Sequence, residues 1–239
     1  MRIVVTGSRG FIGKHLIDTL QAHDIIEWDI KIGKNIKDFY LEPDTNFVVH
    51  LAGLISPRDS INEPMRYWNE NVKYSKEVFN ICKKIPMIYA SSAAVKEYWR
   101  SPYGITKKVM EELAFDNHIG LRFETIYGDG ASDISLISRI KNNTIKNKTN
   151  HIRDFIHIDD VVSSIKFFID NKEKIPTYNR VYEIGTGVEY NVSDVVSHFG
   201  IDVPLVSGSD IEIKRSVADV SEIRKLGWTP KKRIYDKLV

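Results

Sequence analysis

Tyr103 and Lys107 stand four residues apart in Tyr103-Gly104-Ile105-Thr106-Lys107. A helix at that spacing puts the phenol and the ammonium on one side. A phenol with an ordinary pKa near ~10 is a poor base at neutral pH, and a cation beside it favours the phenolate. The same spacing also suits an amphipathic surface helix whose lysine is merely solvated, so the pair needs a third group. Pro86-Met87-Ile88-Tyr89-Ala90-Ser91-Ser92 supplies one: an apolar strand pattern ending in two serines. A hydroxyl at the carboxyl end of a parallel strand faces the crevice where open α/β sheets bind ligands. Ser92, Tyr103 and Lys107 together form a proton-transfer set for interconverting an alcohol and a ketone.

Such chemistry needs a hydride carrier, and the start of the chain describes a seat for one. The β-branched run Arg2-Ile3-Val4-Val5-Thr6 leads into Gly7-Ser8-Arg9-Gly10-Phe11-Ile12-Gly13. Gly7 allows a sharp turn, Gly10 lets backbone amides approach a pyrophosphate, and Gly13 lets the following helix pack closely on the strand. The positive end of that helix attracts the anion. Asp29 closes the next predicted strand, where a carboxylate accepts both ribose hydroxyls of an adenosine and repels a 2′-phosphate. The expected cofactor is therefore NAD rather than NADP, a preference that nearby Lys31 and Lys34 weaken.

Strand-like runs at 2–6, 24–29, 46–51, 86–91 and 119–124 alternate with helical patterns at 11–22, 65–83 and 103–117. That alternation predicts an α/β fold, a Rossmann-type doubly wound parallel sheet covered on both faces, over 1–128. Beyond Gly130 the regularity breaks. Residues 132–141 look helical, 151–157 extended, 159–170 helical and 181–184 a short strand. The expectation is a small C-terminal substrate-binding cap over 129–239, with the elements near 151–185 able to return to the sheet.

Composition narrows the function classes. The chain has 239 residues, a formal net charge of +2 and 42% hydrophobic content, ordinary for a soluble globular protein. The lysines scattered over 141–148 read as a solvated loop, and no nucleic-acid partner is expected. Cys82 is the one cysteine, which excludes an internal disulfide and fits a reducing cytoplasm. No apolar run reaches the length of a membrane span, and the first strand begins too early for a cleaved signal. No His/Cys/Asp cluster has metal spacing, so no metal is expected. His50 and His157 read as structural, and Asp159 and Asp160 as helix-capping carboxylates.

Read together, these motifs resemble the extended short-chain dehydrogenase/reductase superfamily, and within it the NAD-dependent epimerase/dehydratase family acting on nucleotide sugars. The resemblance rests on Thr6-Gly7-x-x-Gly10-Phe11-Ile12-Gly13, Val49-His50-Leu51-Ala52-Gly53, Asn71, Ser91-Ser92-Ala93-Ala94-Val95 and Pro102-Tyr103-Gly104-x-x-Lys107. It continues through Leu121-Arg122-x-x-x-Ile126-Tyr127-Gly128, Arg153-Asp154-Phe155-Ile156-His157-Ile158-Asp159-Asp160-Val161, Tyr182-x-Ile184-Gly185 and Ala218-Asp219 to Leu226-Gly227-Trp228. It implies Tyr103 as acid/base, Lys107 as its partner and ribose anchor, and Ser92 as hydrogen-bond donor to the substrate oxygen. Gly7, Gly10, Phe11, Ile12, Gly13 and Asp29 would line the NAD pocket, with Leu51, Ala52, Gly53 and Asn71 along the cofactor's path. Asn35 and Ile36 fall near the adenine. Thr125 and Arg215 are the implied substrate contacts.

The departures are local. Only ten residues separate Ser92 from Tyr103, where the family carries a longer loop, and Lys96-Glu97 replaces a Tyr-Gly. Thr125 and Glu183 each stand where an asparagine is common. Ala93-Ala94 replaces the Asp-Glu pair of the 4,6-dehydratases, which argues against that chemistry. The leading expectation is a nucleotide-sugar epimerase of carbohydrate metabolism. A net keto-sugar reductase and a catalytically silent NAD-binding sensor are the alternatives. Helices 65–83 and 103–117 would pair across a two-fold axis in a homodimer, as they do in the resembling family.

Overall fold

Ile3, Val4 and Val5 are fully buried, as a strand covered on both faces requires. The structure is a computed structural model that describes residues 1–176 and 180–235. Residues 177–179 and 236–239, the latter closing the predicted substrate region, lie outside the described residues.

The Rossmann half runs β1 (Arg2–Thr6), α1 (Phe11–Thr19), β2 (Asp24–Trp28), β3 (Phe47–His50), α2 (Pro57–Asn62), α3 (Pro64–Trp68), α4 (Tyr74–Ile81), β4 (Met87–Ser92), α5 (Pro102–Leu113) and β5 (His118–Phe123). The rest runs β6 (Thr125–Tyr127), α6 (Leu136–Lys141), β7 (Ile152–Arg153), β8 (Phe155–His157), α7 (Ile158–Asp170), β9 (Val181–Ile184), β10 (Tyr190–Asn191), α8 (Val192–His198), β11 (Arg215–Ser216) and α9 (Ser221–Lys225).

Six strands form one sheet in the order β2-β1-β3-β4-β5-β9, every neighbour parallel. The chain leaves β1 toward β2 and then returns to β1's other side for β3, so a topological switch point lies beyond Thr6 and His50. Ligands of open α/β sheets bind in that crevice. Side chains alternate across the strands. Ile3, Val5, Val49 and Ile88 face α1 and α7, meeting Leu16, Ile165 and Phe168. Val4, Val48, Met87 and Tyr89 form the core of the opposite face with Val78, Phe79 and Met110. Truncating a fully buried side chain such as Leu16 to Ala costs ~2–5 kcal/mol at sites of this kind.

The region after Gly130 is not spatially separate. It contributes β9 to the main sheet, in register from Gly120 opposite Val181 to Phe123 opposite Ile184. Of its other strands, β8 pairs with β6, which precedes Gly130, and β10, β7 and β11 form a three-stranded sheet. Fully buried Asp154 knots these pieces together. Its Oδ1 accepts from the Thr186 N–H at 2.9 Å and hydroxyl at 2.6 Å, and its Oδ2 from Gly187 N–H at 2.8 Å.

Three local features differ from expectation. The predicted helix over 65–83 is α3 and α4 joined by a π turn at Asn69–Lys73. α2 lies outside the helices the apolar pattern predicts, although Ser56 caps it by accepting from Asp59 N–H and Pro57 opens it. The cap of α7 is His157, whose Nδ1 accepts from Asp159 N–H at 3.1 Å. Asp160 instead accepts the backbone N–H groups of Lys231 and Lys232, tying the end of the described chain to α7.

Candidate active site

The glycine turn between β1 and α1 is as tight as its spacing implies. Gly7 has φ +70°, and a Cβ there would stand 2.7 Å from Ala52 N; one at Gly13 would stand 2.2 Å from Gly7 O. Gly10 occupies the N-cap of α1, where no side chain caps the helix and no acidic residue occupies the first turn. The leading amides are therefore left for an anion, which fits a dinucleotide's diphosphate. Phe11 and Ile12 are half-buried against the core.

Asp29 follows β2 and is largely buried. Its Oδ2 accepts from Arg9 N–H at 2.9 Å and its Oδ1 from Lys31 N–H at 2.8 Å. Each oxygen keeps a further lone pair, as a pair of ribose hydroxyls would need. Asn35 turns its side chain to Lys37 N–H, while its carbonyl accepts from Trp28 Nε1; Ile36 packs beside that indole's core.

At the end of β3, Leu51 N–H bonds Thr6 O and Ala52 N–H bonds the Thr6 hydroxyl. Thr6 Oγ1 also lies 2.7 Å from His50 Nδ1, and His50 Nε2 lies 2.9 Å from Ser75 Oγ. Burial, aided by Lys107, pushes His50 down to about 3, so it is a neutral core histidine. Asn71 is fully buried and braces the loop after β3. It accepts from Leu54 N–H at 2.7 Å and donates to Leu54 O at 2.9 Å and Thr106 Oγ1 at 3.1 Å. Gly53, at φ +156°, leaves room for this brace: its Cβ would stand 2.9 Å from Asn71 Oδ1 and 3.8 Å from Lys107 Nζ.

Ser92, Tyr103 and Lys107 come together where β4 meets α5. Ser101 caps α5 by accepting from Gly104 N–H, and Pro102 opens it, which orients the helix's first turn toward the strand end. The Ser92 hydroxyl stands on the phenol side of Tyr103, close enough to draw the phenol's pKa down, and accepts from Ala94 N–H at 3.1 Å. Lys107 Nζ donates to Ala90 O at 2.8 Å and lies 5.9 Å from the Tyr103 ring centroid. Ser60 on α2 takes the Tyr103 N–H at 3.1 Å.

The electrostatics correct one expectation. Burial pushes Tyr103 up to about 12, with Ser92 pulling the other way. Burial also pushes Lys107 down to about 8, against the field of Glu111. At 6% and 3% exposure, loss of hydration is the largest influence on both groups. Lys107 alone does not make Tyr103 a base.

Thr125 opens β6, with its N–H bonded to Asp154 O at 3.0 Å. Arg215 on β11 is exposed and paired with Glu189, so the structure does not gather it with the Ser92 group. A second cationic cluster had no role assigned from sequence. Glu212 is reached by Arg58 Nη2 at 2.5 Å, His151 Nδ1 at 3.6 Å and Arg153 Nη2 at 3.7 Å. Arg58 sits on α2 two residues from Ser60, the residue that holds Tyr103. Burial lowers Arg153 despite Glu212, the mark of an under-neutralised guanidinium. Cys82 is buried and pushed up to about 12, which rules out a thiolate there. Among the described residues no group of three or more His, Cys, Asp or Glu could hold a metal, and no helix is long and apolar enough to cross a membrane.

Comparisons with known proteins agree with this fold. The chain is 24% identical to CDP-abequose synthase of Salmonella typhimurium, covering 95% of this chain and 93% of that protein. That alignment spans 283 positions, so the relative carries insertions that this 239-residue chain lacks. It is 26% identical to a putative UDP-glucose 4-epimerase of Methanocaldococcus jannaschii over 95% of this chain and 93% of the relative. Among solved structures, MoeE5 in complex with UDP-glucose and NAD superposes with a TM-score of 0.85 at 26% identity, covering 98% of this chain and 95% of that one. The NAD dependent epimerase/dehydratase family matches residues 3–185, and the chain belongs to that family of enzymes.

Proposed function

We propose that the chain is a nucleotide-sugar epimerase that oxidises and re-reduces one sugar carbon with NAD unconsumed. The observation that carries this is the convergence of Ser92, Tyr103 and Lys107 at the carboxyl end of β4, with Tyr103 and Lys107 buried there. Gly7, Gly10 and Gly13 with the amides of α1 would hold the diphosphate of NAD, and Asp29 its adenosine ribose. When bound, NAD supplies the hydride acceptor and a positive ring beside the phenol.

Tyr103 takes the sugar hydroxyl proton as phenolate and returns it after the sugar has turned in the site. Ser92 holds the reacting oxygen in both directions. Lys107 stabilises the phenolate and, with donors beyond its bond to Ala90 O, reaches the ribose. Burial of Tyr103 and Lys107, beside half-buried Ser92, limits the water that competes for these hydrogen bonds. Arg153 and Arg58 supply counter-charge for the sugar nucleotide's diphosphate, taking the place Glu212 now fills. Ala93 and Ala94 after Ser92 carry no group that exchanges protons, which disfavours dehydration.

Incubation of purified protein with UDP-, CDP- and ADP-sugars tests this. Interconversion of epimers with no net change in nicotinamide absorbance is expected. Consumption of reduced cofactor in proportion to product would replace the epimerase with a keto-sugar reductase, and bound NAD without any turnover would leave a sensor. We infer a homodimer as well, because Met65, Trp68 and Ile105 expose apolar surface on α3 and α5, which pack together. A monomer by light scattering at micromolar concentration would contradict it.

A further inference from the structure

Beside Asp29 lies an ion pair that the proton-transfer chemistry does not use. Glu27 and Asp29 are two residues apart and share a side of the extended segment that ends β2. Both meet Arg9, in the middle of the glycine turn. Asp29 takes the Arg9 N–H at 2.9 Å, and Glu27 Oε1 takes the guanidinium Nη2 at 2.6 Å. Lys31 Nζ closes the group by donating to Arg9 O at 3.3 Å.

The pair is only half made. A structural arginine–carboxylate pair uses both prongs of the fork. Arg122 and Glu111 do so here, at 2.8 and 2.7 Å. In contrast, Arg9 Nε and Glu27 Oε2 are both buried with no hydrogen-bond partner among the described residues. Arg9 is thus held by one contact, next to the carboxylate that fits the adenosine ribose, and its side chain remains 43% exposed. A group fixed so loosely contributes little to stability. Its position gives it another use.

We propose that Glu27 selects the coenzyme: by holding Arg9 it withholds the nearest guanidinium from a 2′-phosphate, so the chain takes NAD and rejects NADP. This rests on the placement of NAD at the Gly7–Gly13 turn with its ribose at Asp29. A 2′-phosphate would bring about two negative charges against Asp29 and Glu27 while Arg9 stays committed. Removing the Glu27 charge frees Arg9, which needs only side-chain rotation to face the ribose edge. Arg9 is then a latent phosphate-binding group, suited by its planar fork to that role.

Calorimetric titration of wild type, Glu27→Gln, Arg9→Ala and the double variant with NAD and with NADP tests this without any turnover. Wild type should bind NAD at least ~100-fold more tightly than NADP; Glu27→Gln should tighten NADP by about tenfold while moving NAD less than about threefold. The gain should disappear in the double variant and shrink as salt is raised. An unchanged NADP-to-NAD ratio in Glu27→Gln, or a gain that survives loss of Arg9, overturns the selection. Asp29→Ala separates the two layers: if it leaves NAD affinity unchanged, the ribose is misplaced and the underlying placement fails with it.

Discussion

Lys96 and Lys107 both carry ammonium groups into the region beyond β4, and the protein treats them in opposite ways. Lys96 donates to Glu124 Oε1 at 2.9 Å and Val217 O at 2.6 Å, and Glu183 stands 2.8 Å away. Burial alone lowers it, but Glu124 and Glu183 outweigh that and raise it. Lys107 is more deeply enclosed, bonds one carbonyl, and has no carboxylate at ion-pair distance among the described residues. A saturated cation locks the fold; a buried one with spare donors is kept for a ligand. The contrast extends to Glu111, which binds Arg122 and the Ser91 hydroxyl rather than Lys107. Stability is thus concentrated in the network around the site and withheld from its centre.

The largest effect should come from the centre. Tyr103→Phe removes the proton carrier and keeps the ring, so kcat should fall by ~10³-fold or more. NAD affinity should stay within a few-fold, because the phenol's loss leaves the glycine turn intact. Turnover at the wild-type rate would remove Tyr103 from the mechanism.

Lys96→Met attacks the saturated side of the comparison. It strands Glu124, whose own carboxyl burial already raises, beside Glu183, which keeps Arg122 at 3.7 Å and the Asp219 N–H at 2.7 Å. Loss of about 3–5 kcal/mol is expected in denaturant unfolding, as when one partner of a buried pair is removed. Neutralising the stranded carboxylate with Glu124→Gln should restore part of that loss. If it restores nothing, the two groups are not coupled.

Lys107→Met should behave in reverse. In the native state Lys107 titrates near 8 rather than its ordinary 10.5, so below 8 the fold carries the full cost of a buried cation. That cost is relieved as pH rises from 8 to 10.5, where the unfolded chain still binds the proton, and stability should climb by about 3 kcal/mol. The variant should lack this rise and be no less stable than wild type at pH 7, while kcat drops by ~10²-fold. A variant that is destabilised at pH 7 and keeps the rise would reverse the roles assigned to the two lysines.

How far these properties could be read from the chain follows their range. The strands of the sheet announce themselves through β-branched runs, and the glycine turn through spacing, because both are local. β9 is legible as a strand, yet its partner β5 is set by tertiary packing. α2 carried a capping signal, Ser56-Pro57, with too few apolar positions to show a period. The Tyr103–Lys107 spacing is visible; the direction in which burial moves their protons is not, since it depends on what covers them. Arg58 and Glu212 are 154 residues apart, and no pattern links them before folding.

That rim pair is the mildest test. Arg58 is 69% exposed and Glu212 22%, so their contact is worth less than about 1 kcal/mol, and Arg58→Ala should leave the melting transition almost in place. If Arg58 faces the sugar nucleotide's diphosphate, the same change should raise KM for substrate by about tenfold with kcat little altered, the pattern of lost uniform binding. Glu212→Gln should shift KM the other way, because the arginines then meet the substrate without a competing carboxylate. Equal KM values in wild type and both variants would move the diphosphate away from this cluster, leaving it as a strap between α2 and the segment before β11.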